Sequence, residues 1–199
     1  MRLGAVVLAA GRSRRMGREK VLLPFGRSTM LQTVLTKLRR AGVERPVVVL
    51  RSDFPEAERL ARRARAQVVI NPHPEEEMLV SIRLGVETLA ESVDAFFVWP
   101  ADHPAVRPAT LLALAARASR DAAVIPVFSG GRGHPALVGA DLVSEIARIP
   151  PEEGLRQLWR TRRDAVREVT VDDPGVLENL DDPESYDRAR RREGESPVE

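Results

Sequence analysis

Residues 3–20 read Leu3-Gly4-Ala5-Val6-Val7-Leu8-Ala9-Ala10-Gly11-Arg12-Ser13-Arg14-Arg15-Met16-Gly17-Arg18-Glu19-Lys20. The first six residues form a short apolar run, which indicates a buried β-strand. Because it lacks a Cβ, Gly11 lets the backbone turn sharply and approach a ligand closely. Exposed amide groups in such a loop form a concavity that binds anions, and the arginines and Lys20 add positive charge. The segment therefore predicts a strand followed by a loop that holds polyphosphate.

The spacing within this loop excludes two common phosphate-binding motifs. The next glycine after Gly11 is six residues away and is followed by an arginine, which fits neither the Walker A pattern nor the dinucleotide pattern Gly-x-Gly-x-x-Gly. The chain has only two lysines, Lys20 and Lys37. The ammonium group of Lys20 is compact enough to lie beside one phosphoryl oxygen where a guanidinium group would not fit. Lys37 falls in a predicted surface helix and needs no functional explanation.

Strands and helices alternate along the chain. Further strands are predicted at 46–50, 67–70, 95–99, 122–128 and 166–171, and helices at 28–41 (with Ser28 as the N-cap), 54–66, 79–90 and 110–119. This alternation predicts an α/β fold, a Rossmann-like, mostly parallel twisted sheet with helices on both faces. In such folds ligands bind at the carboxyl ends of the strands.

Length and composition limit the possibilities further. A chain of 199 residues suits one domain, which we predict to span residues 1–192, with a polar, disordered tail at 193–199. The net charge of +2 gives little support to nucleic-acid binding, and no apolar run reaches the roughly 18 residues of a membrane helix. The absence of cysteine fits a cytoplasmic protein.

The first loop also carries a family resemblance. Its pattern, Leu-Ala-Ala-Gly-x-Ser-x-Arg-Met-Gly-x-x-Lys over Leu8 to Lys20, resembles the opening motif of the MobA-like nucleotidyltransferases, a family that includes the enzymes adding CMP or GMP to molybdopterin. The resemblance implies a fold of the nucleotide-diphospho-sugar transferase type and a Mg²⁺-dependent reaction.

Two later segments resemble the family's metal-binding motifs. Asp102 matches the aspartate of Gly-Asp-x-Pro, although Ala101 replaces the glycine, and the alternative is a helix cap or turn before a proline. Residues 177–186 resemble the closing motif, with Asp182 in place of the usual threonine. Asn179 and Asp181 are two residues apart and share a face, and we narrowly favour Asn179 as the second ligand. The alternative here is simply the start of a helix at Pro183.

Two more segments resemble the parts of the family that meet the base and the acceptor. Residues 71–85 match the pattern that ends in Ser-Ile-Arg-x-Gly, with Glu77 where glycine is usual, and a solvated helix start is the alternative. Residues 131–135, Gly-Arg-Gly-His-Pro, resemble the acceptor segment of the molybdenum-cofactor branch. A histidine in such a turn is equally often structural.

The resemblance assigns a role to each candidate residue. Nucleotide binding would fall to Leu8, Ala9, Ala10, Gly11, Arg12, Ser13, Gly17 and Ser81. Catalysis would fall to Lys20, Arg15 and Asp102, Mg²⁺ binding to Asp102, Asn179 and Asp181, and acceptor binding to Arg132 and His134.

The expected reaction follows from these roles. A phosphate oxygen of a small phosphorylated acceptor would attack the α-phosphorus of a nucleoside triphosphate (NTP) and release pyrophosphate. CTP is the favoured donor, GTP the second, and molybdopterin the favoured acceptor. The alternatives are a sugar-1-phosphate nucleotidyltransferase and a non-catalytic nucleotide sensor or cofactor-delivery protein. The oligomeric state stays open.

Overall fold

The computed structural model describes residues 1–11, 19–89 and 92–194. Within these ranges the strands are β1 (Leu3–Leu8), β2 (Pro24–Phe25), β3 (Ser28–Thr29), β4 (Val47–Arg51), β5 (Gln67–Asn71), β6 (Ala95–Pro100), β7 (Ala123–Phe128), β8 (Gly131–Arg132), β9 (Ala136–Gly139) and β10 (Val166–Thr170). The α-helices there are α1 (Met30–Arg40), α2 (Pro55–Arg63), α3 (Met78–Leu89), α4 (Pro108–Ala115), α5 (Val143–Ile146), α6 (Arg156–Thr161) and α7 (Pro183–Gly194).

The main sheet has β1 near its centre. The strand order is β10-β7-β9-β6-β1-β4-β5, and β8 pairs with β7 at its end. β1 runs parallel to both β4 and β6, and β10 runs parallel to β7. β9 is antiparallel to both of its neighbours, β6 and β7. The predicted mostly parallel sheet is confirmed. β9 was missed because its four buried residues follow a glycine-rich turn and are too few to form a recognisable period.

Helices cover both faces of this sheet, as predicted. Alternate residues of β1 point to opposite sides: Ala5 and Val7 pack with α1, α2 and α4, whereas Val6 and Leu8 pack with α3, α5 and α6. These four side chains are buried. A central strand that is covered on both faces reads as a continuous apolar run, which is why β1 was recognisable in the sequence.

Several boundaries differ from the prediction. Thr29, not Ser28, caps α1: its Oγ1 accepts a hydrogen bond from the Gln32 amide at 3.2 Å. Ser28 instead pairs with Phe25 in the small β2–β3 hairpin. The predicted fourth helix begins two residues earlier, at Pro108, and ends at Ala115.

Lys37 corrects another expectation, because it is buried and does not lie on a surface. Its Nζ donates a hydrogen bond to the Pro104 carbonyl at 2.7 Å and lies 3.7 Å from Glu193 Oε1 on α7. Burial lowers the pKa of Lys37, although the Glu193 carboxylate opposes that effect. Glu193 belongs to the last helix, α7, which extends to Gly194. The predicted tail at 193–199 therefore begins inside this helix. Residues 195–199 lie outside the described residues.

In the described part of the chain, helices long and apolar enough to cross a membrane are absent.

Candidate active site

The carboxyl end of β1 opens into a cleft. The Ala9 amide donates a hydrogen bond to the Val49 carbonyl, and the Ala101 amide donates one to the Leu8 carbonyl, both at 3.0 Å. The chain thus leaves the sheet between two parallel neighbours, where ligands bind in α/β folds. A cavity of about 200 Å³ lies here, lined by Leu8, Ala9, Ala10, Gly11, Lys20, Val21, Pro74, Glu76, Met78, Ser81, Pro100 and Asp102.

This cavity brings together seven of the predicted site residues: Leu8, Ala9, Ala10, Gly11, Lys20, Ser81 and Asp102. Arg12, Ser13, Arg15 and Gly17 lie outside the described residues. The structure therefore shows the floor and the two flanks of the predicted phosphate loop.

Lys20 joins two carboxylates that are distant in sequence. Its Nζ lies 2.8 Å from Asp102 Oδ2 and also donates a hydrogen bond to Asp181 Oδ1. Burial alone would lower the pKa of Lys20, but the two carboxylates outweigh it and the pKa is raised above 10.5. Lys20 is therefore a fixed positive charge at the mouth of the cleft.

The predicted metal ligands also lie together. The Leu180 amide donates to the Asp102 carbonyl at 3.0 Å, which holds the closing motif against the end of β6. Asn179 Nδ2 donates to Asp181 Oδ2 at 2.5 Å. Asp102 Oδ1 is buried and has no hydrogen-bond partner in the described part of the chain. An unsatisfied buried carboxylate oxygen is costly, so this atom is suited to binding a cation.

The chemistry of these donors selects a hard cation. Two carboxylates and one amide suit a small ion that keeps several waters or phosphate oxygens. Across residues 1–11, 19–89 and 92–194, no three His, Cys, Asp or Glu side chains are placed so as to hold a metal by themselves. The residues present therefore fit Mg²⁺ bound together with a phosphate ligand.

Ser81 is held in place by Asn71. The Asn71 Nδ2 donates to Ser81 Oγ at 2.9 Å, while the Asn71 Oδ1 accepts a hydrogen bond from the His73 amide at 2.8 Å. Both side chains are buried. Because Ser81 Oγ accepts from Asn71, its own O–H is the group that it can donate to a ligand in the cleft.

Two histidines from separate loops meet beside Asp102. The rings of His103 and His134 lie 4.8 Å apart between centroids, and His103 Nε2 is 3.8 Å from Asp102 Oδ1. Burial lowers the pKa of His103, opposed by the Asp102 carboxylate. Burial, then the neighbouring His103, lowers the pKa of His134 to about 4. Both rings are therefore neutral near pH 7, a pairing that the sequence did not indicate.

The pKa of His134 predicts a loss of stability in acid. Below pH 6.5 the unfolded chain takes up a proton on His134, whereas the folded chain does so only near pH 4. The stabilisation is complete above pH 6.5 and should decrease by up to about 3 kcal/mol as the pH falls towards 4. Urea unfolding between pH 4 and 7.5 would measure it. His134→Gln should flatten this part of the curve, while the exposed control His73→Gln should not.

Arg132 and His134 line a second, larger cavity of about 600 Å³ next to the first. His134 faces inward, but Arg132 is exposed and its Nε lies 2.6 Å from Glu168 Oε1. The guanidinium group of Arg132 is thus already paired on the outer side of the cavity.

Sequence reasoning missed Arg51. This buried side chain at the end of β4 donates to the Gly11 carbonyl at 3.4 Å and pairs with Glu19 and with Asp53, the latter at 2.7 Å. Its guanidinium carbon also lies 4.1 Å from the centre of the Phe54 ring. Arg51 therefore ties the two flanks of the phosphate loop, Gly11 and Glu19, to the sheet. The sequence signal that could have identified Arg51 is its position directly after four apolar residues of a buried strand.

Removing this tie should weaken nucleotide binding. We expect Arg51→Met to raise the KM for the NTP by roughly tenfold, because a hydrogen-bonded charge is removed from the flanks of the loop, with a smaller effect on kcat. Steady-state kinetics would test this, with the exposed Arg45→Met as the matched control. An unchanged KM would mean that the loop keeps its shape without Arg51.

Comparison with known proteins identifies the family. The model of the MobA-like NTP transferase domain matches residues 5–167. The chain is 24% identical to the molybdenum cofactor cytidylyltransferase of Escherichia coli K12 over 191 residues, covering 96% of each. It is 28% identical to the purine catabolism protein PucB of Bacillus subtilis 168 over 196 residues, covering 94% of this chain and 95% of PucB.

Solved structures agree. A nucleotidyl transferase from Methanothermobacter superposes with a TM-score of 0.84 at 26% identity, covering 96% of this chain and 97% of that one. Rv0371c from Mycobacterium tuberculosis in complex with manganese gives a TM-score of 0.76 at 26% identity, covering 96% and 99%. The chain thus belongs to the MobA-like NTP transferase family and is a nucleotidyltransferase.

Proposed function

We propose that this nucleotidyltransferase moves CMP from CTP to a phosphate of a small acceptor, and that the favoured acceptor is molybdopterin. GTP, which would donate GMP, is the second choice of donor. The observation that carries the proposal is the cleft at the end of β1, where Lys20, Asp102 and Ser81 surround one cavity. The similarity to a molybdenum cofactor cytidylyltransferase supports the choice of donor and acceptor.

The bond changes are those of phosphoryl-type transfer. An acceptor phosphate oxygen forms a bond to the α-phosphorus, and the bond from that phosphorus to the bridging oxygen of the β-phosphate breaks. Pyrophosphate leaves with that electron pair. Such reactions need positioning and charge stabilisation more than covalent help from the protein, which fits a chain without cysteine.

The chain's own residues supply this positioning. Backbone groups of Leu8 to Gly11 and the hydroxyl of Ser81 would hold the base and ribose. Lys20 would neutralise charge on the α-phosphate, since its ammonium already lies at the cleft between two carboxylates. Arg12, Ser13, Arg15 and Gly17 complete the predicted phosphate loop, with Arg12, Ser13 and Arg15 assigned to the β- and γ-phosphates.

Asp102, with Asn179 or Asp181, would hold Mg²⁺. The buried Oδ1 of Asp102, which has no hydrogen-bond partner among the described residues, supports this assignment. When bound, Mg²⁺ supplies Lewis-acid stabilisation of charge on the phosphate oxygens. Mg²⁺ would also offset the repulsion between Asp102 and the phosphates.

Nucleotide selectivity provides the direct test. Melting temperature is measured with CTP, GTP, ATP and UTP, each with and without Mg²⁺, because a ligand that binds the folded state raises it. Pyrophosphate release is then measured with the stabilising nucleotide and either molybdopterin or glucose 1-phosphate. A shift with CTP and Mg²⁺, and release only with molybdopterin, is expected. Release only with glucose 1-phosphate would replace the proposal with a sugar-1-phosphate nucleotidyltransferase.

A further inference from the structure

Lys37 is a buried cation that the proposed reaction does not use. It lies on α1, its side chain is only 10% exposed, and it lies outside the residues that line either cavity. Burying an ammonium group is costly unless the group is paired, and a methionine could fill the same space without that cost. The charge of Lys37 therefore needs an explanation in the contacts that it makes.

The strongest contact of Lys37 is with the loop that follows β6. Its Nζ donates a hydrogen bond to the Pro104 carbonyl at 2.7 Å, two residues after the predicted metal ligand Asp102. A hydrogen bond from a charged donor is roughly twice as strong as one between neutral groups. Lys37 thus anchors the backbone of the loop that carries Asp102.

The rest of this loop is held by neutral donors. Three further carbonyls accept hydrogen bonds at 3.0–3.1 Å: Pro100 from the His103 amide, Asp102 from the Leu180 amide and His103 from the Trp99 indole. Pro100 and Pro104 have no N–H group of their own, so their carbonyls are the polar backbone groups by which they can be fixed. Among these donors Lys37 is the charged one, and it holds the last carbonyl of the loop.

The chain beyond Pro104 is fixed by close packing. A Cβ on Gly175 would lie 2.7 Å from the Ala105 backbone, and the buried Asp173 accepts a hydrogen bond from the Arg107 amide at 2.8 Å. Movement after loss of the Lys37 contact would therefore fall between two fixed ends, at residues 101–104, where Asp102 lies.

Two carboxylates favour the charged form of Lys37. Glu193 Oε1 on α7 lies 3.7 Å from its Nζ. Burial lowers the pKa of Lys37, the carboxylates of Glu193 and then Asp173 oppose that effect, and Arg40 acts in the same direction as burial. Because α7 begins at Pro183, directly after the closing motif, Lys37 contacts both segments that carry the predicted metal ligands.

We propose that Lys37 is a positioning residue for the cation site: by holding the Pro104 carbonyl, it fixes the loop from which Asp102 presents its buried Oδ1 to a divalent cation. This role rests on the proposed function, because it requires that Asp102 binds Mg²⁺. Removing a group that orients a metal ligand commonly lowers metal affinity or activity by about ten- to a hundredfold.

The test measures binding of Mn²⁺ without any nucleotide. Mn²⁺ stands in for Mg²⁺ because electron paramagnetic resonance counts the free ion directly. Lys37→Met keeps a long unbranched side chain and removes the donor to Pro104. We expect Mn²⁺ to bind about tenfold more weakly to this variant. Half-maximal turnover should need a correspondingly higher Mg²⁺ concentration, and excess Mg²⁺ should restore most of kcat.

Two control variants separate positioning from a general loss of stability. Leu142→Ala opens a cavity in the core on the other face of the sheet, so it should lower the melting temperature and leave Mn²⁺ binding unchanged. Glu193→Gln keeps the hydrogen bond to Pro104 and removes only the more distant, partly exposed carboxylate. Its Mn²⁺ affinity should stay within about threefold of the wild type.

The outcomes distinguish this role from the proposed function. Wild-type Mn²⁺ affinity in Lys37→Met would overturn the role of Lys37 and leave the function intact. Equal weakening by Leu142→Ala would show an effect of stability and would also overturn it. If Mn²⁺ binding depends on Lys37 and Asp102 but CTP does not raise the melting temperature, the assigned donor is wrong and the role of Lys37 stands. A wild type that binds no Mn²⁺ would overturn both the cation site and the role of Lys37.

Discussion

Asp102→Asn should reduce nucleotidyl transfer by roughly a thousandfold or more, the scale seen when a group that stabilises transition-state charge is removed. The substitution keeps the size of the side chain, removes its charge and replaces one acceptor oxygen by an NH2 donor. The buried Oδ1 that has no partner in the described part of the chain would then no longer attract a cation. Pyrophosphate release at saturating CTP and Mg²⁺ measures the loss.

The control for this variant is Asp172→Asn, which removes a carboxylate whose side chain is 97% exposed. Its turnover should match that of the wild type. The melting temperature of Asp102→Asn without ligands should stay within a few degrees, because the variant removes a buried charge whose Oδ1 has no hydrogen-bond partner among the described residues, while it weakens the ion pair between Oδ2 and Lys20. Turnover at the wild-type level would show that Asp102 does not hold the metal.

Lys20→Gln should lower kcat/KM by about a hundred- to a thousandfold, again the scale of one charge-stabilising donor. The glutamine amide is one bond shorter than the lysine side chain and carries no charge. Lys20→Arg should not restore activity, because the planar guanidinium group does not fit where the compact ammonium contacts both Asp102 and Asp181. Steady-state kinetics with varied CTP would separate kcat from KM.

Lys20 also stabilises the fold, and this effect must be distinguished from its effect on catalysis. Without it, Asp102 and Asp181 repel each other, so Lys20→Gln should also melt at a lower temperature. The exposed Arg27→Gln serves as a control for loss of one positive charge near this segment. If Lys20→Gln melted lower but retained wild-type kcat/KM, Lys20 would be a structural bridge only.

Much of the fold was predictable because its strongest signals are local. β1 is a continuous apolar run since both of its faces are covered, and the helices that follow show clear apolar periods. β9 was not predictable, because four apolar residues after a turn do not distinguish a strand from a loop. Its antiparallel direction depends on the pairing partners β6 and β7, which the local sequence does not contain.

In the candidate site, too, some features are predictable from the local sequence and others are not. Lys20, Asp102 and Asp181 could be proposed from motifs, because each has a chemical type suited to phosphate or metal. That Lys20 joins the other two, or that His103 meets His134, depends on contacts between distant loops. Arg51 and Lys37 were missed or misplaced because an arginine or lysine usually lies at the surface, and only the burial of each side chain shows otherwise. The sequence therefore predicts Lys37 on the surface of a helix, although Lys37 contacts the loop that follows Asp102.

The antiparallel direction of β9 places the turn before it at the same end of the sheet as the cleft. A strand that runs against β6 begins where β6 ends, so the turn that leads into β9 delivers His134 to the side of His103. The cleft at β1 depends on the loops after the parallel strands, whereas the larger cavity depends on the turn before β9 and on the segment before α6. Changes in length or composition at residues 129–135 or 150–156 would therefore alter the larger cavity first, and the cleft at β1 only through the shared Met78 and Pro100.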